Sequence, residues 1–302
     1  MNPPTPFPVN RLAEVEQHPE NFLLIERVPI TLTGAVFPIA FNEHVGDERP
    51  FVVVDTETTG LDAGADKMIE LGLVRGYYSP SASRITSISG AISLLEDPGI
   101  PIPEEITRIT GITDADVAGK RIDEDEVSRW FEGDPLILAH NAKFDRPFVD
   151  ARLPALVNGG WACTAFGIDW KALGYEGAKL EYLLYKHGYF YDGHRAEVDC
   201  LATAWLLHTN PAAFAAALDS ARERTVVVRA FGAPFDVKDA LKDRGYRWHP
   251  GDTGSNKCWW TSVSEKDLDA EQAFLEGTYH NGSGSAHYEK QTARSRFKGD
   301  VR

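Results

Sequence analysis

The unbroken apolar run Phe51-Val52-Val53-Val54, entered from Pro50 and left through the turn residues Thr59-Gly60, constrains this chain more than any other feature. Side chains alternate faces along a strand, so four consecutive apolar residues need cover on both sides. The run reads as a buried central strand. Asp55 stands at its end and Glu57 follows at i+2, on the same face as Asp55. Two carboxylates so placed suit a hard cation, because Mg²⁺ takes oxygen ligands, keeps several waters and completes its shell with substrate phosphate. Alone, such a pair is weak evidence, since an isolated Asp is more often solvated or a helix cap.

The remaining pattern supports the same layout. IELGLVRGYY and RITSISGAISLL, separated by Ser-Pro-Ser-Ala-Ser, read as adjacent antiparallel strands, and a helical stretch follows near 114–131. Pro135-Leu-Ile-Leu-Ala is a further short buried strand ending at His140-Asn141, and KFDRPFVDARLPAL has helical apolar spacing. Residues 194–208 read as an amphipathic helix burying Ala196, Val198, Leu201, Ala204 and Trp205 on one face. Strands alternating with helices imply a mixed sheet covered by helices.

With 302 residues, 43% of them hydrophobic, there is material for two cores. Residues 1–46 form an N-terminal extension with a proline-rich start, and 47–212 form the larger domain, ending near Asn210-Pro211. Residues 222–280 form a small module: TVVVRAF as a strand, VKDALKDRGY as a helix stopped by Gly245, KCWWTSV as a second strand. Residues 281–302, Gly/Ser-rich and then basic, read as a disordered tail.

The formal charge of −14 looks wrong for a nucleic-acid protein, whose non-specific affinity comes from basic side chains. The charge is uneven, however: 27 acidic against 15 basic residues in 47–210, but 13 against 14 in 211–302. Asp123-Glu124-Asp125-Glu126 reads as a solvated helix face. No apolar run approaches the roughly 20 residues of a membrane-spanning helix, and the start lacks a basic and a hydrophobic leader region, so no membrane and a cytoplasmic location are expected. Cys163, Cys200 and Cys258 lie far apart without zinc spacing and read as reduced thiols.

Three segments, VVDTETTGL, AHNAKFDRPF and HRAEVDC, occur in the order of the three exonuclease motifs of the DEDDh family, which they resemble. That family includes the proofreading ε subunit of bacterial DNA polymerase III. IPEEITRITGIT resembles the stretch between its first two motifs. The resemblance covers about residues 50–210, and the ordered set with a final His-x-Ala-x-x-Asp is specific. It implies a ribonuclease-H-like α/β fold, a mixed five-stranded sheet flanked by helices, beside a small α+β C-terminal domain.

It also implies a metal-dependent 3′-to-5′ exonuclease releasing nucleoside monophosphates. Asp55, Glu57 and Asp199 would hold one metal, Asp55 would bridge to a second supported by Asp145, and His194 would be the general base. Two Mg²⁺ are implied, with Mn²⁺ as a substitute; two such ions stabilise both attacking and leaving oxygens of an in-line displacement. Thr58, Thr59 and Leu61 match positions beside the terminal nucleotide. Asn141, with His140, is a weaker substrate candidate, since polar residues at a strand end commonly satisfy local backbone. The partners implied are nucleic-acid 3′ ends, with single-stranded DNA favoured and RNA trimming or an oligoribonuclease-type activity as the alternative. A polymerase or another replication or repair protein is a further partner expected of proofreading, though no polymerase-binding peptide is visible. A catalytically silent binding scaffold is disfavoured because all five positions are filled.

APFDVKDALKDRGYRWHPGDTGSNKCWW resembles a small Trp-rich domain of uncharacterised function attached to nucleic-acid enzymes. Lys238, Lys242, Arg244, Arg247 and Lys257 interleave with Tyr246, Trp248, Trp259 and Trp260, a mixture suited to phosphates and stacked bases. Protein docking and a purely structural role for the tryptophans remain open beside that reading.

Overall fold

A computed structural model of the protein describes residues 9–32, 34–156, 158–251 and 256–298. The proline-rich start at 1–8, part of the loop before Lys257 and residues 299–302 of the basic tail lie outside them.

The N-terminal extension contributes helix α1 (Leu12–Gln17) and two short strands, β1 (Glu26–Arg27) and β2 (Ile39–Ala40). Strands β3 (Arg49–Thr58), β4 (Met68–Ser79) and β5 (Arg84–Leu95) form an antiparallel meander. Helices α2 (Glu104–Thr110), α3 (Asp114–Val117) and α4 (Glu124–Trp130) lead to β6 (Leu136–Ala139), which pairs parallel with β3. Helix α5 (Ala142–Arg152) returns to β7 (Gly160–Cys163), parallel to β6. Then follow α6 (Leu180–Lys186), β8 (Tyr189–Phe190), α7 (Ala196–Thr209) and α8 (Pro211–Arg222).

The sheet order is β2-β5-β4-β3-β6-β7, a mixed sheet flanked by helices. The sixth strand is the two-residue β2, by which the N-terminal extension adds to the edge strand β5 through Ile39 and Ile88. The extension also pairs β1 in parallel with β8 and buries Val28 and Ile30 in the core. Its role is therefore to cover this domain.

The apolar run of β3 divides between two cores, as alternation requires. Phe51 and Val53 pack with α6, α7 and α8 on one face. Val52 and Val54 pack with α4 and α5 on the other. Full burial of each such side chain contributes about 1.5–3 kcal/mol. In contrast to a helix buried along one stripe, α7 is buried nearly all round, with Cys200, Leu201, Ala202, Thr203, Ala204, Leu206 and Leu207 all inside. It lies between the sheet and helices α6 and α8. The acidic run at 123–126 starts α4: Asp123 accepts the amides of Asp125 and Glu126, and Glu124 pairs with Arg152 at 2.8 Å.

The larger domain extends past the expected boundary at 212. In α8, Phe214, Ala217 and Leu218 at helical spacing join the core, with Phe214 edge-on to Tyr78 at 5.5 Å. The module then contains β9 (Thr225–Ala230), α9 (Lys238–Asp243), β10 (Arg247–His249), β11 (Cys258–Ser264), α10 (Leu268–Thr278) and β12 (His287–Gln291). Its antiparallel sheet has the order β10-β11-β9-β12.

The expected disordered tail at 281–302 is therefore corrected. Its residues 287–291 are an edge strand paired with β9, Tyr288 opposite Val228. Beyond it, the Ala293 carbonyl accepts the Trp161 amide at 2.9 Å, extending the edge of the larger sheet. The guanidinium of Arg146, fully buried on α5, donates to the carbonyls of Ala293 (3.1 Å), Arg294 (2.7 Å) and Arg296 (2.6 Å). Arg296 in turn donates to the Ser220 carbonyl at 2.6 Å, and Arg294 to Asp134 at 2.5 Å. Two of the tail's basic residues are thus engaged in fastening the module to the larger domain.

Candidate active site

Across β3 and β4, Asp55 stands opposite Gly72 and Glu57 opposite Glu70. All four lie on the face covered by α7. Gly72 makes this possible. A Cβ there would lie 2.2 Å from the Ala196 carbonyl carbon, so its absence lets the first turn of α7 rest on β4 beside Asp55. Asp199, one turn into that helix, then meets the pair. One carboxylate oxygen from each of Asp55, Glu57 and Asp199 lies within 4.8 Å of the others.

Asp145 arrives from the opposite layer. It sits in the first turn of α5, 2% exposed, and its Oδ1 accepts both the amide and the hydroxyl of Thr56, each at 3.0 Å. It is not one of the three closely grouped acids. Thr56 points to the α5 face, between the two strand acids that point to α7, so Asp145 approaches the strand end from the other side.

His194 lies on the turn between β8 and α7 in a left-handed conformation, φ +69°. Its side chain is exposed. The Asp199 carboxylate fixes this turn: Oδ2 accepts the amides of His194 (2.9 Å) and Arg195 (3.2 Å), while Oδ1 accepts the Tyr191 hydroxyl at 3.0 Å. The helix entrance and the acid one turn inside are therefore one hydrogen-bonded unit.

Burial and mutual repulsion hold these acids above the ordinary carboxylate range. Burial, then the charges of Asp145 and Asp199, push Asp55 well up. Glu57 is pushed up to about 8 by burial and then by Asp199 and Glu70. Asp145 rises to about 7 and Asp199 to about 6, both through burial, moderated for Asp145 by its bonds from Thr56 and for Asp199 by the bond from Tyr191. The chemistry of this all-oxygen donor set fits a hard divalent cation.

Three participants were not foreseen from the sequence. Tyr191 orients Asp199, and its own hydroxyl is pushed far up by burial and the nearby acids. Glu70 is fully buried beside Glu57, and Arg195 neutralises it with contacts of 2.8–3.2 Å while the Ala196 amide donates to it at 3.1 Å. Only the presence of an acid inside an otherwise apolar strand run signalled Glu70. Nothing in FYDGHR distinguished Tyr191 from an ordinary loop tyrosine.

The substrate candidates separate. Thr58 and Thr59 are buried in the turn after β3; the Thr58 hydroxyl donates to the Gly60 carbonyl at 2.6 Å and the Thr59 amide to the Lys67 carbonyl at 2.8 Å. Leu61 projects from this turn, 84% exposed. Asn141 occupies the N-cap position of α5 with a left-handed backbone, φ 101°, and its side chain makes no capping hydrogen bond. His140 is satisfied locally by Thr164 at 2.9 Å and the Ala178 carbonyl at 2.7 Å. A cavity of about 640 Å³ opens beside the acids, lined by Asp55, Asp199 and Tyr191 and by Lys179, Glu181 and Tyr182 of the α6 entrance.

Residues 52–207 match the family model RNase_T, described as exonuclease. Among curated proteins, the DNA polymerase III PolC-type of Bacillus cereus is 36% identical over 132 residues, 42% of this chain and 9% of that protein. The PolC-type polymerase of Bacillus subtilis is 33% identical over 182 residues, 56% of this chain and 12% of its own. The chain thus spans about a tenth of the length of the curated relatives it matches. Among solved structures, an exonuclease X in complex with 5′ overhanging duplex DNA is 27% identical with a TM-score of 0.41, covering 52% of this chain and 89% of that one.

Proposed function

The chain belongs to the exonuclease family whose model spans residues 52–207, and from that premise we propose that it is a metal-dependent 3′-to-5′ exonuclease releasing nucleoside monophosphates from single-stranded DNA ends. The observation that carries this reading is the meeting of Asp55, Glu57 and Asp199 within 4.8 Å at the end of the central strand. Asp55, Glu57 and Asp199 would hold one Mg²⁺, and Asp55 with Asp145 a second, supplying Lewis acidity and charge neutralisation for phosphoryl displacement.

The chain's own residues do the rest. Tyr191 and the amides of residues 194 and 195 fix Asp199 in one orientation. His194, on an exposed turn beside it, takes the proton of the attacking water. Leu61 meets the terminal base, and Thr58 and Thr59 shape the turn beneath it. Lys179, at the mouth of the cavity, faces the phosphate backbone. Such a site grips a terminus and reads no base edges, so little sequence preference is expected. The relatives named above are DNA polymerases, which favours DNA over RNA and makes a replication protein the natural partner.

The test is a 5′-labelled single strand. With Mg²⁺ it should shorten stepwise, stop with a chelator, and remain intact with Asp55→Ala. Full activity in that variant would remove the assignment, and an RNA strand in parallel reports the sugar preference.

A further inference from the structure

The structure sorts the aromatic and basic residues of the C-terminal module onto two faces. Val226, Val228, Ala230 and Trp259 point to one side, where Leu241 of α9 and Leu275 of α10 cover them. Trp248 is on this side too, at the edge, 5.4 Å from the Trp259 ring. The opposite face carries a different row. In register across the four strands stand Arg247, Trp260, Arg229 and His287.

This row has the composition of a strand-binding strip. Trp260 is half-buried, which fixes its ring, and has an arginine on either side. Arg247 lies over the ring at 5.8 Å. Arg229 is held in place by Glu289 at 2.8 Å, using one of the five donors of a guanidinium. His287 and Arg247 are exposed at the two ends. Neighbouring strands are about 4.8 Å apart, so the row extends about 14 Å.

We propose that this row is a second nucleic-acid contact outside the catalytic cleft, where a single-stranded stretch of the substrate stacks a base on Trp260 and sets its phosphates on Arg247 and Arg229. The occupant follows from charge. Residues 47–222 carry 28 acidic against 16 basic side chains, so the catalytic domain repels a polyanion, whereas residues 223–302 carry 12 against 13. A cationic, aromatic row on the balanced module supplies the attraction that the domain with the acids lacks. Stacking on an aromatic ring accepts any base, which suits an enzyme that shortens strands without reading them. Arg294 and the Arg146 clamp fasten the module to the catalytic domain, so a strand held there is held by the same body that cuts it.

The proposal rests on the exonuclease reading, and one experiment separates the two. Fluorescence anisotropy of the full chain in chelator, with a 5′-fluorescein single strand of about 25 nucleotides, gives affinity without hydrolysis. Trp260→Ala and Arg247→Glu should each weaken binding roughly tenfold. Trp260→Tyr should restore most of it. Arg247→Glu should also flatten the dependence of log K on log salt by about one. Arg247 is exposed, so this variant stands even if Trp260→Ala lowers the folded yield. Unchanged affinity in Arg247→Glu and Trp260→Tyr alike with a folded, equally tight Trp260→Ala overturns the proposal and leaves a protein as the occupant of this face. The same strand incubated with the unsubstituted protein and Mg²⁺ tests the catalytic reading separately: no shortening would remove that reading while a tenfold loss in the variants still places the strand on this face.

Discussion

Gly72 and Ala196 are in such close contact that a methyl group on the former would sit 2.2 Å from the carbonyl carbon of the latter. Every close atom belongs to the backbone of residues 196 and 197, so relief needs β4 and the first turn of α7 to move apart. Gly72→Ala should therefore cost about 1–3 kcal/mol of stability through overpacking. Because α7 carries Asp199, turnover should fall further, about a hundredfold for a displacement near 1 Å. Thermal melting and single-strand digestion on the same preparation check both; unaltered turnover would show that the helix is not what places Asp199.

The raised carboxyls give the metal-free protein a definite pH profile. A carboxyl whose folded pKa exceeds its unfolded value binds protons more tightly when folded, so its contribution is fully present below the unfolded value, near 4, and is lost as pH rises through the folded one. With Asp199 at about 6, Asp145 at about 7 and Glu57 at about 8, the chelated protein should lose stability steadily from pH 4 to 8. Millimolar Mg²⁺ should raise the melting temperature most at the upper end of that window. Calorimetry with and without chelator reads both slopes.

Tyr191→Phe removes one hydroxyl from Asp199 Oδ1 and leaves the ring. A hydrogen bond to a charged acceptor contributes about 1.5–3 kcal/mol. The variant should need roughly tenfold more Mg²⁺ for half-maximal activity while folding normally. A metal titration of the digestion rate measures this, and an unchanged midpoint would show that the amides of residues 194 and 195 suffice.

Arg146→Met exchanges a buried guanidinium for an apolar chain of similar length. Three carbonyls at 293, 294 and 296 lose their donor and Asp150 its partner at 3.2 Å. Breaking such a buried set costs about 3–5 kcal/mol. Arg294→Ala, which removes exposed contacts to Asp134 and to the Asn158 carbonyl, should cost less than Arg146→Met, about 1 kcal/mol. Chemical denaturation of the two variants side by side gives the comparison.

What could be read in the sequence is what local pattern encodes. The Phe51–Val54 run needs cover on both faces whatever surrounds it, and the acids at its end inherit their placement from strand alternation. The features that escaped depend on distant pairs. Glu70 is stable inside a strand because Arg195 and the Ala196 amide, 125 and 126 positions further along the chain, both donate to it. α7 reads as amphipathic until α6 and α8 close over its second side. β12, His-Tyr-Glu-Lys-Gln, is polar because an edge strand borders solvent, and nothing in it names β9 as its neighbour.

The clamp around Arg146 also sets an order of events during synthesis. A ribosome delivers α5 about 150 residues before the carbonyls that receive its guanidinium, and in that interval Asp150, one turn along the same helix, is the acceptor that α5 itself supplies to Arg146. The full set of acceptors around the helix bearing Asp145 is therefore complete only once residue 296 has been made. Ending the chain before residue 293 would thus leave the layer that seats Asp145 unfinished, although every candidate metal ligand would already be in place along the sequence.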